Sequence, residues 1–200
     1  MLEAIIFDFD GVIADTYELN LKVYRDFYPD IARKEFEDLH TGNPLKKRDW
    51  SDEKATVFAR KQRQLFSQKH FFKGMDQLIK DLANKFKLFV ISSSDDANIK
   101  EYLSLKDLND YFIQVLGANT HKSKVEKFKL IMNQYDFGPD EILFVTDTVG
   151  DIKEAQVLNI PTVAVTWGYH DEKLLNQAHP QWLVSNLREL RSLIQTVAFK

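Results

Sequence analysis

The sequence predicts an α/β fold: a three-layer parallel-sheet core, interrupted after its first strand by a helical insertion. Three observations carry this. Four short apolar runs, at residues 4–7, 88–91, 142–145 and 162–165, are continuous rather than alternating, as in strands buried on both faces. Helical periodicities separate the later runs, the alternation expected of right-handed strand–helix–strand crossovers. Between about residues 15 and 73 no such run occurs, and apolar residues recur at helical spacing instead.

Each element follows in order. Residues 4–7 (AIIF) form a first strand that delivers Asp8-Phe9-Asp10-Gly11 to its carboxyl end. In the insertion, Leu19, Val23 and Phe27, then Val57, Phe58 and Leu65, mark helical faces, and the turn Thr41-Gly42-Asn43-Pro44 splits them into two halves. Residues 75–86 place Leu78, Ile79 and Leu82 on one helix face. The second strand, 88–91, ends in Ser92-Ser93-Ser94-Asp95, which opens a helix, and residues 112–116 add a further short strand. Val125, Phe128 and Met132 predict a helix over 125–135. After the strand at 142–145, a helix over 152–158 is stopped by Asn159 and Pro161. The expected division is a core of residues 1–14 and 74–200 around an insertion of residues 15–73.

Composition bounds the function. In 200 residues, 27 Lys and Arg face 30 Asp and Glu, a net charge of −3, and 44% of residues are hydrophobic. That suits one packed domain with a modest insertion and speaks against a nucleic-acid coat. The absence of cysteine removes disulfide scaffolds, cysteine zinc sites and thiol nucleophiles. No apolar run approaches the roughly 20 residues of a membrane-spanning helix. The start MLEAIIFDFD lacks the basic region and cleavage site of a signal peptide. A cytoplasmic protein, monomer or dimer, without membrane or nucleic-acid partners is expected.

The chemistry sits at the strand ends. Residues two apart on an extended chain point the same way, so Asp8 and Asp10 reach one pocket if the strand holds through them. Ligands of open α/β sheets bind outside the carboxyl ends of strands, where this pair lies. Paired carboxylates repel and need a shared proton or a cation; a surface turn is the alternative. Asp147 and Asp151 follow the third strand, with Asp151 also suited to be a helix N-cap. Oxygen ligands without Cys or His favour a hard cation such as Mg²⁺. Ser92-Ser93-Ser94 before a helix reads either as an anion site or as a simple N-cap. His121-Lys122-Ser123-Lys124 is a basic turn, solvated in most settings, that balances charge where carboxylates and phosphate meet.

Four segments in this order, DFDGVIADT from Asp8, VISSS from Val90, the turn at Lys122 and Lys124, and VTDTVGDI from Val145, resemble the haloacid dehalogenase superfamily, specifically its phosphatase branch. The tail from Asp151 to His170 is also similar, so the resemblance covers most of the chain outside the insertion. It implies a Rossmann-like core with an inserted α-helical cap, and Mg²⁺-dependent hydrolysis of a small phosphorylated metabolite through an aspartyl-phosphate. By position, Asp8 would be the nucleophile and Asp10 the general acid and then base. Asp8, the Asp10 carbonyl and Asp147 would bind metal, with Asp151 in or near that shell. Ser92 and the Ser93 N–H would bind phosphate. The superfamily's lysine would be Lys122 or Lys124, with Lys124 preferred. Dehalogenase members lack the acid found here at Asp10. Two departures stand out: Thr146 where a glycine commonly precedes the metal-binding aspartate, and Val12-Ile13 for a commoner threonine-leucine.

The insertion corresponds in position to that cap. From residue 41 to 74, nine basic residues face three acids, a stretch of +6, which would attract anionic substrates or merely solvate helix faces. Lys46, Lys47, Arg48 and Trp50 are the candidate substrate contacts; Trp167, Tyr169 and Trp182 read as packing residues. Hinges are expected near residues 14–16 and 73–74. Two rivals remain: a phosphomutase of the β-phosphoglucomutase type, which shares the core motifs, and a non-catalytic phosphate-binding or signalling domain, which would have no use for Asp10.

Overall fold

The computed structural model describes residues 1–47, 51–65, 68 and 70–198; of residues 46 and 47 it describes the backbone alone. Six parallel strands form one sheet: β1 (Ala4–Phe7), β4 (Lys87–Ile91), β5 (Gln114–Leu116), β6 (Ile142–Thr146), β7 (Thr162–Val165) and β8 (Trp182–Val184), in the order β5-β4-β1-β6-β7-β8. β1 is central, with Ile5 opposite both Leu88 and Leu143. After β1 the chain first builds toward β4 and β5, then crosses back to β6 on β1's other side. The strand order therefore reverses at β1, and the crevice outside β1, β4 and β6 is where such a sheet binds ligands.

Period-two alternation explains the layers. Ile5 and Phe7 of β1 pack with Leu88, Val90, Leu143 and Val145 against α5 (Met75–Ala83), α6 (Asp96–Ser104) and α10 (Leu187–Ala198). Ala4 and Ile6 face the opposite way, with Phe89 and Phe144, onto Phe128 and Ile131 of α7 (Lys124–Tyr135) and Ala155 of α8 (Val149–Gln156). A short helix, α9 (Glu172–Asn176), adds Leu175 to a smaller cluster with Ile152 and Ala164. The sheet is covered on both sides, which is why its strands read as continuous apolar runs. Among the described residues no helix is long and apolar enough to cross a membrane.

Among the described residues the stretch after β1 holds four helices, two on each side of the turn at 41–44: α1 (Tyr17–Arg25), α2 (Arg33–Leu39), α3 (Pro44–Lys47) and α4 (Asp52–Gln64). They enclose their own apolar cluster of Leu21, Val23, Tyr24, Phe36 and Phe58, with Tyr169 from the core. The chain enters and leaves this layer through two short antiparallel strands, β2 (Ala14–Asp15) and β3 (His70–Phe71), where no strand was expected. Two residues are too few to leave a periodicity in sequence. β8 and α10 likewise lie beyond the elements that the pattern assigned.

Candidate active site

β1 ends at Phe7, and Asp8 continues its line for one residue through an N–H donated to the Val145 carbonyl (2.9 Å). The strand does not run on to Asp10. The Phe9 carbonyl accepts from both Ile13 and Ala14 (3.0 Å each), and Gly11 takes φ +77°, so the chain turns sharply there. Asp8 and Asp10 nevertheless line one cavity of about 510 Å³. A tight turn brings them together, not the parity of an extended strand. Gly11 is required twice: its backbone is left-handed, and a Cβ there would lie 2.0 Å from Asp147 Oδ2.

Buried carboxylates from two segments meet one ammonium from a third. Lys124, the first residue of α7, places Nζ 2.8 Å from Asp8 Oδ2 and 2.6 Å from Asp151 Oδ2. All three side chains are buried. Burial alone would lower the Lys124 ammonium, but the Asp151 and Asp8 carboxylates outweigh it and hold the group above its ordinary value. Asp151 answers in kind: burial would raise it, yet Lys124, a hydrogen bond with Asp8 and the Thr146 hydroxyl pull it down to about 2. Asp8 goes the other way. Burial pushes it well up, Lys124 opposes, and the nearby Asp151 and Asp147 charges add to the rise. Asp147 is raised to about 8, by burial first and by Asp151 next, against the Tyr169 backbone N–H.

Asp147 and Asp151 follow β6. The N-cap of α8 is Thr148, whose Oγ1 accepts from Asp151 N (3.3 Å), so Asp151 is not the cap and its carboxylate stays in the cluster. Asp147 Oδ2 accepts from Tyr169 N at 2.6 Å, while its Oδ1 is buried without a hydrogen-bond partner. A buried carboxyl oxygen without a partner costs free energy unless something binds it, and a hard cation is what an ionised one takes. Among the described residues no three acidic or histidine groups are already gathered as a metal site.

Ser92 and Ser93 follow β4 and line the same cavity. Ser92 is buried, and its Oγ accepts from Ser94 N (3.0 Å), folding the run into a turn ahead of α6, whose N-cap is Asp95. Lys122, by contrast, is an exposed rim residue with Nζ 3.8 Å from Asp52 Oδ1. Arg48 and Trp50, and the side chains of Lys46 and Lys47, lie outside the described residues; the adjoining Pro44 and Leu45 line the cavity. Elsewhere the basic stretch faces other acids: Lys61 pairs with Asp26 (2.6 Å) and Arg63 with Glu101 of α6 (2.7 Å).

Several residues at the site escape sequence reasoning. Glu154 accepts from Ser123 Oγ (3.0 Å) and Lys124 N (3.1 Å), fixing the start of α7 and hence its lysine. Lys127 is fully buried and donates to the Ser92 carbonyl beneath the serine turn. A Cβ on Gly168 would lie 2.1 Å from Asp147 Oδ2. Thr146 is more than a glycine replacement, because its hydroxyl donates to Asp151 Oδ2 (2.8 Å). Tyr169 packs, as expected, but also lines the cavity and accepts a hydrogen bond from Asn20 (2.7 Å). His170 Nδ1 accepts from Val149 N (3.0 Å), which makes Nε2 the protonated nitrogen, donating to the Glu37 carbonyl of the insertion (3.0 Å).

Known proteins share the family and the fold. Residues 5–165 match the family model described as haloacid dehalogenase-like hydrolase. The chain is 26% identical over 205 residues to a phosphoglycolate phosphatase of Synechococcus elongatus, covering 94% of this chain and 95% of that protein. It is 21% identical to the pyrophosphatase PpaX of Oceanobacillus iheyensis, covering 96% and 97%. In fold it is similar to a hydrolase from Pseudomonas syringae, with a TM-score of 0.78 at 18% identity over 97% of this chain and 98% of that one. A HAD-superfamily hydrolase from Geobacter sulfurreducens gives 0.68 at 21%, over 96% and 100%. With the family model spanning β1 through β7 and so every strand that bears a site residue, the chain belongs to the haloacid dehalogenase-like hydrolase family.

Proposed function

We propose that this protein is a Mg²⁺-dependent phosphatase that hydrolyses a small phosphorylated metabolite through an aspartyl-phosphate on Asp8. The observation that carries the reading is the meeting, in one cavity, of Asp8 and Asp10 from the β1 turn, Ser92 and Ser93 from the β4 turn, and Lys124 with Asp151 beside them. The names of the phosphatase relatives support the same class.

In this reading an Asp8 carboxylate oxygen attacks phosphorus, the ester P–O bond breaks, and Asp10 gives its proton to the departing oxygen. A water then loses a proton to Asp10 and attacks phosphorus, and the Asp8–phosphate bond breaks to release inorganic phosphate. Lys124, the Ser92 hydroxyl and the Ser93 N–H counter the charge on the equatorial oxygens, the main demand of phosphoryl transfer. Division into two displacements is the gain from a nucleophilic carboxylate. Asp8, the Asp10 carbonyl, Asp147 and Asp151 form an oxygen-only donor set, and the unpartnered Asp147 Oδ1 fits a hard cation. Mg²⁺ bound there would supply positive charge that lets a carboxylate approach a phosphate dianion. The helical insertion, residues 15–73, acts as a cap over the leaving-group side, and Lys46, Lys47, Arg48 and Trp50, which follow the lining residues Pro44 and Leu45 in sequence, are its candidate substrate contacts.

The experiment is phosphate release from a panel of phosphate monoesters. Release with Mg²⁺, loss in EDTA and recovery on Mg²⁺ addition are expected. Metal-independent release would contradict the cofactor assignment. Isomerisation of a sugar phosphate without phosphate release would favour a mutase.

A further inference from the structure

Asp10 is tethered by a neutral amide relay that runs into the insertion. Asn20 of α1 donates through Nδ2 to Asp10 Oδ1 (3.1 Å) and to the Tyr169 hydroxyl (2.7 Å), and its Oδ1 accepts from Gln62 Nε2 of α4 (2.8 Å). Asn20 and Gln62 are both buried. A side-chain amide has two N–H donors, and Asn20 uses both on oxygen; its own oxygen meets a donor. Flipping the amide would set oxygen against the Asp10 carboxylate and NH₂ against Gln62. The acceptor-only Asp10 carboxylate takes the N–H side of Asn20, and the Gln62 donor on the other side favours that same sense.

The position of Gln62 depends in turn on how α4 sits on the core. Asn98 Nδ2 of α6 donates to the Ala59 carbonyl of α4 (2.8 Å), and Arg63 pairs with Glu101 of α6 (2.7 Å), so the residues on either side of Gln62 are anchored there. The second Asp10 oxygen, Oδ2, is partnered by the Ser94 hydroxyl. A hydroxyl can donate to a carboxylate or accept from a carboxylic acid, whereas an amide N–H can only donate. The proton of the acid form therefore belongs on Oδ2, and Oδ1 stays with Asn20 in both states.

We propose that Asn20 and Gln62 are positioning residues for proton transfer, holding the Asp10 carboxyl so that Oδ2 faces the leaving oxygen when α4 is seated on the core. This rests on the reading of Asp10 as the acid–base group. Neither residue touches the reacting atoms; Gln62 acts through Asn20, and Asn20 through Asp10.

The test is kcat/KM, which for a phosphatase of this kind reports steps through phosphoryl transfer, on two esters. p-Nitrophenolate departs without a proton; propoxide needs one. Asn20→Leu and Gln62→Leu are expected to lower kcat/KM about tenfold or more on propyl phosphate, part of the ~10²–10⁴ that a positioned acid contributes, and less than about threefold on p-nitrophenyl phosphate. Activity on the second ester also shows that each variant is folded, and Gln62→Met serves if Gln62→Leu is not. The double variant should match Asn20→Leu alone, because one residue acts through the other. Equal losses on both esters, or additive losses in the double variant, overturn the proposal while leaving the phosphatase reading intact. If wild type hydrolyses only other esters of the panel, the same comparison is made between those with the poorest and the best leaving groups; a wild-type protein that releases phosphate from no ester of the panel overturns both.

Discussion

The Lys124 ammonium lies 2.6 Å from the Asp151 carboxylate across two helix starts, and both groups are buried. Asp8 shares the same nitrogen at 2.8 Å, so one cation compensates two buried acids. Removing it strands the carboxylates. Lys124→Met should lower stability by about 3–5 kcal/mol, as breaking a buried pair does, and abolish phosphate release. Lys122→Ala removes only an exposed rim charge and should leave turnover within about threefold and stability within about 0.5 kcal/mol. Urea denaturation and phosphate release on the two variants check this together.

Thr146 tests a departure from the commoner glycine. Its hydroxyl is fully buried against Asp151 Oδ2. Thr146→Val keeps the shape and loses the donor, so it should cost about 1–3 kcal/mol in urea denaturation. Thr146→Ser should keep most of that. A neutral Thr146→Val substitution would mean that Asp151 is satisfied by Lys124 alone.

Gly168 presses its backbone against Asp147. The missing Cβ would stand 2.1 Å from Oδ2 and 2.4 Å from Cβ of that aspartate, so Gly168→Ala must displace it. Overpacking of this kind costs about 1–3 kcal/mol, and the Mg²⁺ concentration for half-maximal activity should rise at least tenfold. A variant with unchanged Mg²⁺ dependence would detach Asp147 from the metal.

Lys127 gives a pH prediction. Burial lowers its ammonium to about 8, with Lys124 in the same direction; Asp96, Asp8 and Asp151 oppose. Below that pH both folded and unfolded chains hold the proton, and the folded chain bears the full cost of a buried charge. From pH 8 upward the folded chain releases the proton before the unfolded one does, so this group's contribution to stability rises with pH up to its ordinary range near 10.5. Lys127→Met should remove that slope and raise stability at pH 7. It should also weaken phosphate binding, because the ammonium polarises the Ser92 carbonyl and so strengthens the Ser93 N–H. Denaturation between pH 7 and 10 and inhibition by inorganic phosphate are the readouts.

The sequence was most legible where a signal is local. Buried strands such as residues 142–145 announce themselves by continuous apolar runs, and the polar residues at their ends fall in one crevice because the strands are parallel neighbours. It was less legible where contact depends on placement. Asn20 and Gln62 stand 42 residues apart and look like ordinary helix-face polars; only the packing of α1 on α4 joins them. Glu154 is likewise invisible until α7 and α8 lie side by side. Asp10 was assigned to the pocket by a strand parity that the structure does not have, since a turn at Gly11 places it instead. Tyr169 illustrates a double duty: its ring packs against Phe36 and Tyr17 while its hydroxyl takes part in the relay to Asp10.

The central claim is that Asp8 is the nucleophile. The most direct measurement is the rate of phosphate release by Asp8→Asn with saturating Mg²⁺ and the best ester of the panel. Loss of one essential member of a catalytic set costs several powers of ten, so the variant should fall by about 10³ or more, to background. Turnover within about tenfold of wild type would contradict the account and leave Asp8 as a structural partner of Lys124.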